Sequence, residues 1–370
     1  MRYIPSLITH EQFESRFLIS SSLEEMWKEF LDYQHLKEDH PGNEGSSTCL
    51  IVADENVCKH HGERLHHLFP PEKNRWFVVP AGESSKNSSM WLDLVEFAFS
   101  GTLRRNTPMV AIGGGVTGDL AGFTAATLMR GLPLIHVPTT LLAMVDSAIG
   151  GKTGINHRFG KNTIGAFYQP RAVLFDITML DTLPEREWLC GISEVLKYGY
   201  IRNPVLLSIA ASLADPRSRT RPFLEKVVET SVNIKAEIVR ADAREAGERA
   251  ILNFGHSFAH ALETLDGYRN ITHGEAVYTG MIAAIFVSRK MGGDVSDRPL
   301  VSLKEIYKLS MKPYAEKADE LVNLMRHDKK NRDDAFQLVL LEKAGKPVQQ
   351  RVHSADLLKE AWLYTFGVLG

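Results

Sequence analysis

Cysteine is scarce in this 370-residue sequence: Cys49, Cys58 and Cys190 form an odd, scattered set without CxxC spacing. That argues against a disulfide framework and for a reducing, cytoplasmic setting. No apolar stretch reaches the ~18 residues a membrane span needs. The N-terminal MRYIPSLITHEQFESRF has no continuous apolar core and no small-residue cleavage site, so it does not read as a secretory signal. Lysine and arginine (43) nearly balance aspartate and glutamate (45), for a formal charge of −2 with no long basic run. Non-specific binding to nucleic acid or to an anionic membrane is therefore not expected. Internal repeats and low-complexity segments are absent. What remains is an ordinary globular composition, 44% apolar and 24% charged, with enough length for two domains.

In the first half, short unbroken apolar runs alternate with helical patterns. The runs are Thr48–Ala53, Trp76–Val79, Met109–Ile112, Leu134–Val137 and Ala172–Phe175, and each ends in polar or glycine-rich residues. Helical patterns such as Ser89–Phe99 and Leu120–Met129 lie between them. Runs of this kind read as strands buried on both faces, and the alternation predicts a parallel α/β sheet with ligands at the carboxyl ends of its strands. Residues 1–47 carry less information: a helix over Ser22–Tyr33 and a polar loop over His40–Ser47 are expected.

Two glycine-rich stretches follow strands. Gly113, Gly115 and Gly118 satisfy G-x-G-x-x-G between a strand and a helix, a spacing that lets backbone N–H groups approach a pyrophosphate. The acidic residue expected about 20 positions later is missing, and a plain tight turn with Asp119 as a helix-capping carboxylate is the competing reading. Val145–Tyr168 carries Asp146, Lys152, Asn156, Lys161 and Asn162 among glycines, without a regular period and without the Walker order. It reads either as an irregular phosphate- and hydroxyl-binding loop or as solvated surface.

From Asp181 the period becomes helical. Glu185–Ile201 places Glu194 and Lys197 three apart on an otherwise apolar face, either a surface ion pair or a partly buried site. Phe223–Arg240 reads as a helix carrying Lys235. Leu252–Thr264, LNFGHSFAHALET, sets His256 and His260 four apart on one helix face, and helix spacing extends that face back to Asn253 and Arg249. His273 opens a further helix, Gly274–Met291. Glu194, His256 and His273 supply three N/O donors from three helices, the pattern of a catalytic zinc site. The His60/His61 and His66/His67 pairs lack glycine or carboxylate support and read as surface. The Lys329/Lys330 pair, a strand over Gln337–Leu341 and a final helix, Ala355–Phe366, complete the chain.

GGGVTGDLAGFTAATLMRG, VPTTLLAMVDSAIGGKTGIN, GKNTIGAFYQP, EVLKYG, LNFGHSFAHALET and HGEAV resemble, in order and spacing, the motifs of 3-dehydroquinate synthases within the sugar phosphate cyclases, over roughly residues 48–345. The resemblance implies a Rossmann-like α/β NAD-binding domain over residues 1–180, joined to a mainly α-helical metal- and substrate-binding domain over 181–370. By position it implies Glu194, His256 and His273 as ligands of Zn2+ or Co2+. It implies cofactor contacts from Asp54, Asn56, Glu83, Lys86, Gly114, Gly115, Val116, Asp119, Thr139, Thr140, Lys161 and Thr182. Substrate contacts fall on Asp146, Lys152, Asn162, Lys197, Lys235, Arg249, Asn253, His260 and one of Lys329 and Lys330. Arg130 resembles an arginine that reaches a neighbouring site, which implies a homodimer.

The implied activity is a lyase reaction of the shikimate pathway, in which 3-deoxy-D-arabino-heptulosonate 7-phosphate gives 3-dehydroquinate and phosphate. Transient oxidation by NAD, elimination, re-reduction and aldol closure accomplish it, with substrate phosphate helping to take its own proton. Arg249 and Lys235 suit a carboxylate; Lys152, Asn162, Asn253 and His260 suit a phosphate. The alternatives are a cyclase of the 2-epi-5-epi-valiolone or aminodehydroquinate type, a metal-dependent polyol dehydrogenase, and an inactive binding module. Two departures from the family pattern stand out: GHSFAHALE carries Ser257 and Ala259 where the family has threonine and glycine, and Ala243 stands where a second acid is common.

Overall fold

A computed structural model describes residues 1–4, 15–37, 48–245, 247–326 and 335–370. The chain divides into two compact units, Met1–Pro184 with Arg221–Ala243, and Glu185–Thr220 with Arg244–Gly370.

The first unit is built on a seven-stranded sheet. Its strands are β1 (Arg2–Ile4), β2 (Arg16–Ser20), β3 (Leu50–Asp54), β4 (Arg75–Val79), β5 (Met109–Gly113), β6 (Leu134–Pro138) and, after a separate hairpin of β7 (Lys152–His157) and β8 (Gly160–Phe167), β9 (Ala172–Asp176). The spatial order is β1-β2-β9-β6-β5-β3-β4. All neighbouring pairs are parallel except β1 with β2. Each run predicted from the sequence is a strand, shifted by no more than two residues. β3, β5, β6 and β9 are almost wholly buried, as a sheet covered on both faces requires.

Two features escaped the sequence pattern. β2, with Phe17, Leu18 and Ile19 at 0–1% exposure, pairs with β9 inside the sheet although residues 1–47 gave no strand signal. Five residues are too few to show alternation, and burial on both faces removes it. The helix expected over Ser22–Tyr33 runs from Leu23 to Lys37, and the loop expected over His40–Ser47 lies outside the described residues. Val145–Tyr168 is also more ordered than an irregular loop. A π-helical turn, Ala143–Ser147, leads into the antiparallel β7–β8 hairpin, where Gly154 faces Gly165. A Cβ on either glycine would meet the opposite backbone at 2.7 or 2.3 Å, so the glycines there permit strand pairing rather than disorder.

The second unit is helical around one hairpin, β10 (Phe336–Lys343) with β11 (Lys346–Val352). Its site-bearing helices are Glu185–Ile201, His256–Asp266 and His273–Lys290. The last begins where Thr272 and Glu275 form a reciprocal capping box. The continuous helix face expected from Arg249 to His260 is interrupted: Glu248–Asn253 is a 3-10 turn, and Gly255 at φ +79° separates it from the α-helix. Arg249 and Asn253 therefore stand on a different element from His256 and His260.

Candidate functional site

Parallel pairing brings the polar tails of the first unit to one edge of the sheet. Gly113 is in register with Pro138, and Asp54 with Val79. The chain runs from β3 outward to β4 and then returns to the other side of β3 as β5. That reversal makes the carboxyl ends of β3 and β5 a topological switch point, where open α/β sheets take ligands. At β5, Gly114 caps the helix Gly115–Thr127, which starts earlier than the expected Leu120 and so includes Gly118 in its first turn. A cavity there is lined by Gly113–Gly115, Gly118, Asp119, His136, Pro138 and Ser147. Gly113 serves packing as well, because a Cβ would fall 2.6 Å from that of Thr117.

At the end of the adjacent β3 stands Asp54, whose carboxylate accepts from the backbone N–H groups of Asn56 (2.8 Å) and Val57 (3.3 Å). A search downstream of the glycines does not reach this acid. The strand beside the glycine turn precedes it in the chain, so the acid lies upstream. Burial raises the Asp54 carboxyl, opposed by those two N–H groups.

The other sheet-unit residues fall into pairs. Lys86, 4% exposed, is ion-paired with Asp119, whose carboxyl burial raises and Lys86 lowers. Glu83 accepts from the Asn156 amide at 2.7 Å. Asn156 in turn accepts from the Asn162 N–H at 2.9 Å, and Asn162 has φ +53°. Lys235, on the helix Arg221–Ala241, reaches both the carbonyl and the carboxylate of Asp146, each at 2.8 Å. Thr139 donates its N–H to the Gly113 carbonyl, and Thr140 accepts from Ala143. Val116 and Lys161 are half-buried, and Lys152 is exposed. Thr182 is exposed and bonded to His61, a residue read from sequence as surface; His60, His66 and His67 are exposed as expected. Arg130 is exposed in a turn where it and Met129 both have positive φ.

The second unit holds the metal-type cluster. Glycine contacts draw its helices together. A Cβ on Gly274 would lie 2.2 Å from the Cys190 Cα, and one on Gly280 would lie 2.2 Å from the Gly255 carbonyl oxygen. These crossings sit beside His273, His256 and Glu194. One donor atom from each of Glu194, His256 and His273 lies within 4.8 Å of the others. The Nε2 atoms of both histidines are 3.8 Å from Glu194 Oε1. Nδ1 of His256 faces the Phe254 carbonyl at 3.2 Å. Burial, reinforced by Lys197, holds the His256 imidazolium well below its ordinary pKa, so the ring is neutral and able to act as a ligand at pH 7.

Glu194 is fully buried, and neither carboxylate oxygen accepts a hydrogen bond of good geometry, although the Lys197 ammonium is ion-paired with Oε2. A buried carboxylate whose oxygens accept no such hydrogen bond, beside two imidazoles, fits a divalent cation. Among the described residues this is the one such cluster.

Arg249 is buried, Asn253 half-buried and His260 exposed, with the His260 ring 5.7 Å from that of His256. Asn253 donates to Glu245 at 2.7 Å, and Glu245 holds φ +58°. Glu245, two residues beyond Ala243, is the acid that meets Asn253. Lys329 and Lys330 lie outside the described residues.

Residues 76–190 match the family model for the 3-dehydroquinate synthase N-terminal domain, and residues 191–331 that for its C-terminal domain. The 3-dehydroquinate synthase of Salinibacter ruber is 44% identical over 322 residues, covering 85% of this chain and 88% of its own. Among solved structures, a 2-epi-5-epi-valiolone synthase from Streptomyces hygroscopicus with NAD+ and Zn2+ superposes with a TM-score of 0.81 at 23% identity, covering 97% of this chain and 98% of that one. A 2-deoxy-scyllo-inosose synthase complexed with carbaglucose-6-phosphate, NAD+ and Co2+ gives 0.78 at 24%, covering 98% and 99%. These two share the fold. With both family models matched in sequence, and a curated relative this similar over most of its length, the chain belongs to the 3-dehydroquinate synthase family.

Proposed function

We propose that the chain converts 3-deoxy-D-arabino-heptulosonate 7-phosphate to 3-dehydroquinate and phosphate as an NAD- and divalent-metal-dependent lyase. The observation that carries the reading is the convergence of Glu194, His256 and His273 in a chain of this family. Those three residues would hold Zn2+ or Co2+. The glycine turn after β5 would hold the pyrophosphate of NAD, and Asp54 its ribose hydroxyls. When bound, NAD supplies a reversible hydride acceptor and the metal a Lewis acid toward a hydroxyl oxygen.

The protein's own groups bind and orient. Lys197 and Glu194 keep opposite charges in contact at the metal cluster. Arg249 and Lys235 suit the carboxylate, while Lys152, Asn162, Asn253 and His260 suit the phosphate. Residues 1–180 carry the cofactor and 181–370 the metal and most of the substrate. Thr182 and Lys235 are exceptions, since both lie in the first unit. Arg130 serves a homodimer through its exposed turn. Three free cysteines support a cytoplasmic setting, and no helix among the described residues is long and apolar enough to cross a membrane.

The test is to supply purified protein with the heptulosonate phosphate, NAD and zinc. Equimolar phosphate and dehydroquinate without net NADH are expected. Accumulating NADH would favour the dehydrogenase, and absent turnover with absent metal uptake the inactive module.

A further inference from the structure

We infer that Glu263 is a positioning residue of the metal centre, acting through His273. The inference rests on reading Glu194, His256 and His273 as a divalent-metal site. The helix His256–Asp266 carries His256, His260 and Glu263 at positions i, i+4 and i+7, hence on one face. His256 belongs to the donor cluster, and the His260 ring lies 5.7 Å from the His256 ring. The third has no part in the proposed reaction, yet its side chain is only 3% exposed.

Its carboxylate has a definite target. Glu263 Oε1 lies 3.4 Å from His273 Nδ1, while the opposite ring nitrogen, Nε2, lies 3.8 Å from Glu194 Oε1. His256 is arranged in the same sense, with Nδ1 on the Phe254 carbonyl and Nε2 toward Glu194. An imidazole that donates from Nδ1 must carry its lone pair on Nε2, so each acceptor selects the tautomer able to bind a metal. A backbone carbonyl performs this for His256 and a carboxylate oxygen for His273. Burying an acid at a helix position where leucine would pack is unfavourable unless that charge is used.

The experiment compares zinc affinity of wild-type, Glu263→Gln and Glu263→Ala proteins by competition with a fluorescent chelator, alongside the ligand-field spectrum of cobalt-loaded samples. Glu263→Gln keeps the shape and is expected to weaken zinc binding about 10- to 100-fold, with a shifted cobalt band. The metal-free melting temperature and NAD affinity should stay unchanged. Glu263→Ala should lose at least as much, and a Glu263→Gln affinity within twofold of wild type overturns the inference. So does a fall in affinity that the metal-free melting temperature follows, since that marks a structural role. Wild-type protein that takes up no zinc overturns the metal reading itself, a separate and distinguishable result.

Discussion

His61 Nε2 and Thr182 Oγ1 lie 2.8 Å apart, joining the helix Glu55–Leu68 to the turn that follows β9. One turn further along the same helix, Arg64 bonds Asp176 (2.6 Å) and Thr178 (2.8 Å), and it also pairs with Glu24. Asp54 at the helix start and Thr182 at the turn are both implied cofactor contacts, and this network sets their spacing. His61→Phe, which keeps the ring volume and loses the hydrogen bond, should weaken NAD binding two- to tenfold, the value of about 0.5–1.5 kcal/mol for one such bond. Titration calorimetry on the single variants and on His61→Phe/Thr182→Val decides the matter. If the two losses add fully, the residues do not act as a pair.

His256→Ala removes a nitrogen donor whose neighbours cannot replace it, because the His260 ring centre is 5.7 Å from that of His256. Bound zinc should fall from one equivalent to below about a tenth, since three protein ligands are the usual minimum of a catalytic site. Elemental analysis after dialysis measures this, and stoichiometric zinc in the variant would refute the ligand assignment.

Gly274→Ala tests the helix crossing. The added methyl group would stand 2.2 Å from the Cys190 Cα and 2.7 Å from its carbonyl oxygen, so backbone rather than a flexible side chain must give way. A loss of about 1–3 kcal/mol or more is expected, read as an earlier urea midpoint. Metal affinity should drop with it, because His273 is the preceding residue.

His136 gives a prediction in pH. The ring is buried beside Gly118, and burial alone pushes its pKa down from 6.5 to about 4. Between those values the unfolded chain binds a proton that the folded protein excludes. This contribution therefore favours unfolding progressively as pH falls from 6.5 to about 4, and is constant below that. The unfolding free energy of His136→Gln, followed by denaturant titration at intervals from pH 7 to 4, should fall less steeply than that of wild type. Parallel curves would show that the ring is already hydrated.

How much was legible in the sequence varied with the physical signal. Val110, Ala111 and Ile112 lie in a short unbroken apolar run of the kind that strands buried on both faces carry, and Glu194, His256 and His273 stand out in the sequence by donor chemistry. Phe17–Ile19 carried the same kind of burial in a segment too short and isolated to be recognised. Fingerprint spacing alone does not reach Asp54, for a topological reason: the neighbour of β5 precedes it in the chain. The break at Gly255 was missed because helical spacing from Arg249 to His260 looks continuous on paper, whereas a single left-handed residue redirects the chain. Glu263 passed as the last letter of a motif. Only the ring nitrogen it faces distinguishes it from any other helix glutamate.

The sheet unit is not contiguous in the chain. It resumes at Arg221–Ala243 after 36 residues that belong to its neighbour, Glu185–Thr220. A ribosome extruding this chain amino-terminus first therefore releases all nine strands of the first unit before the helix that carries Lys235. The first unit cannot finish folding as a simple early domain, and a fragment ending at Pro184 would lack Lys235 opposite Asp146. Dissecting the protein into its two units would require joining residue 184 to residue 221, a circuit that ordinary truncation does not make.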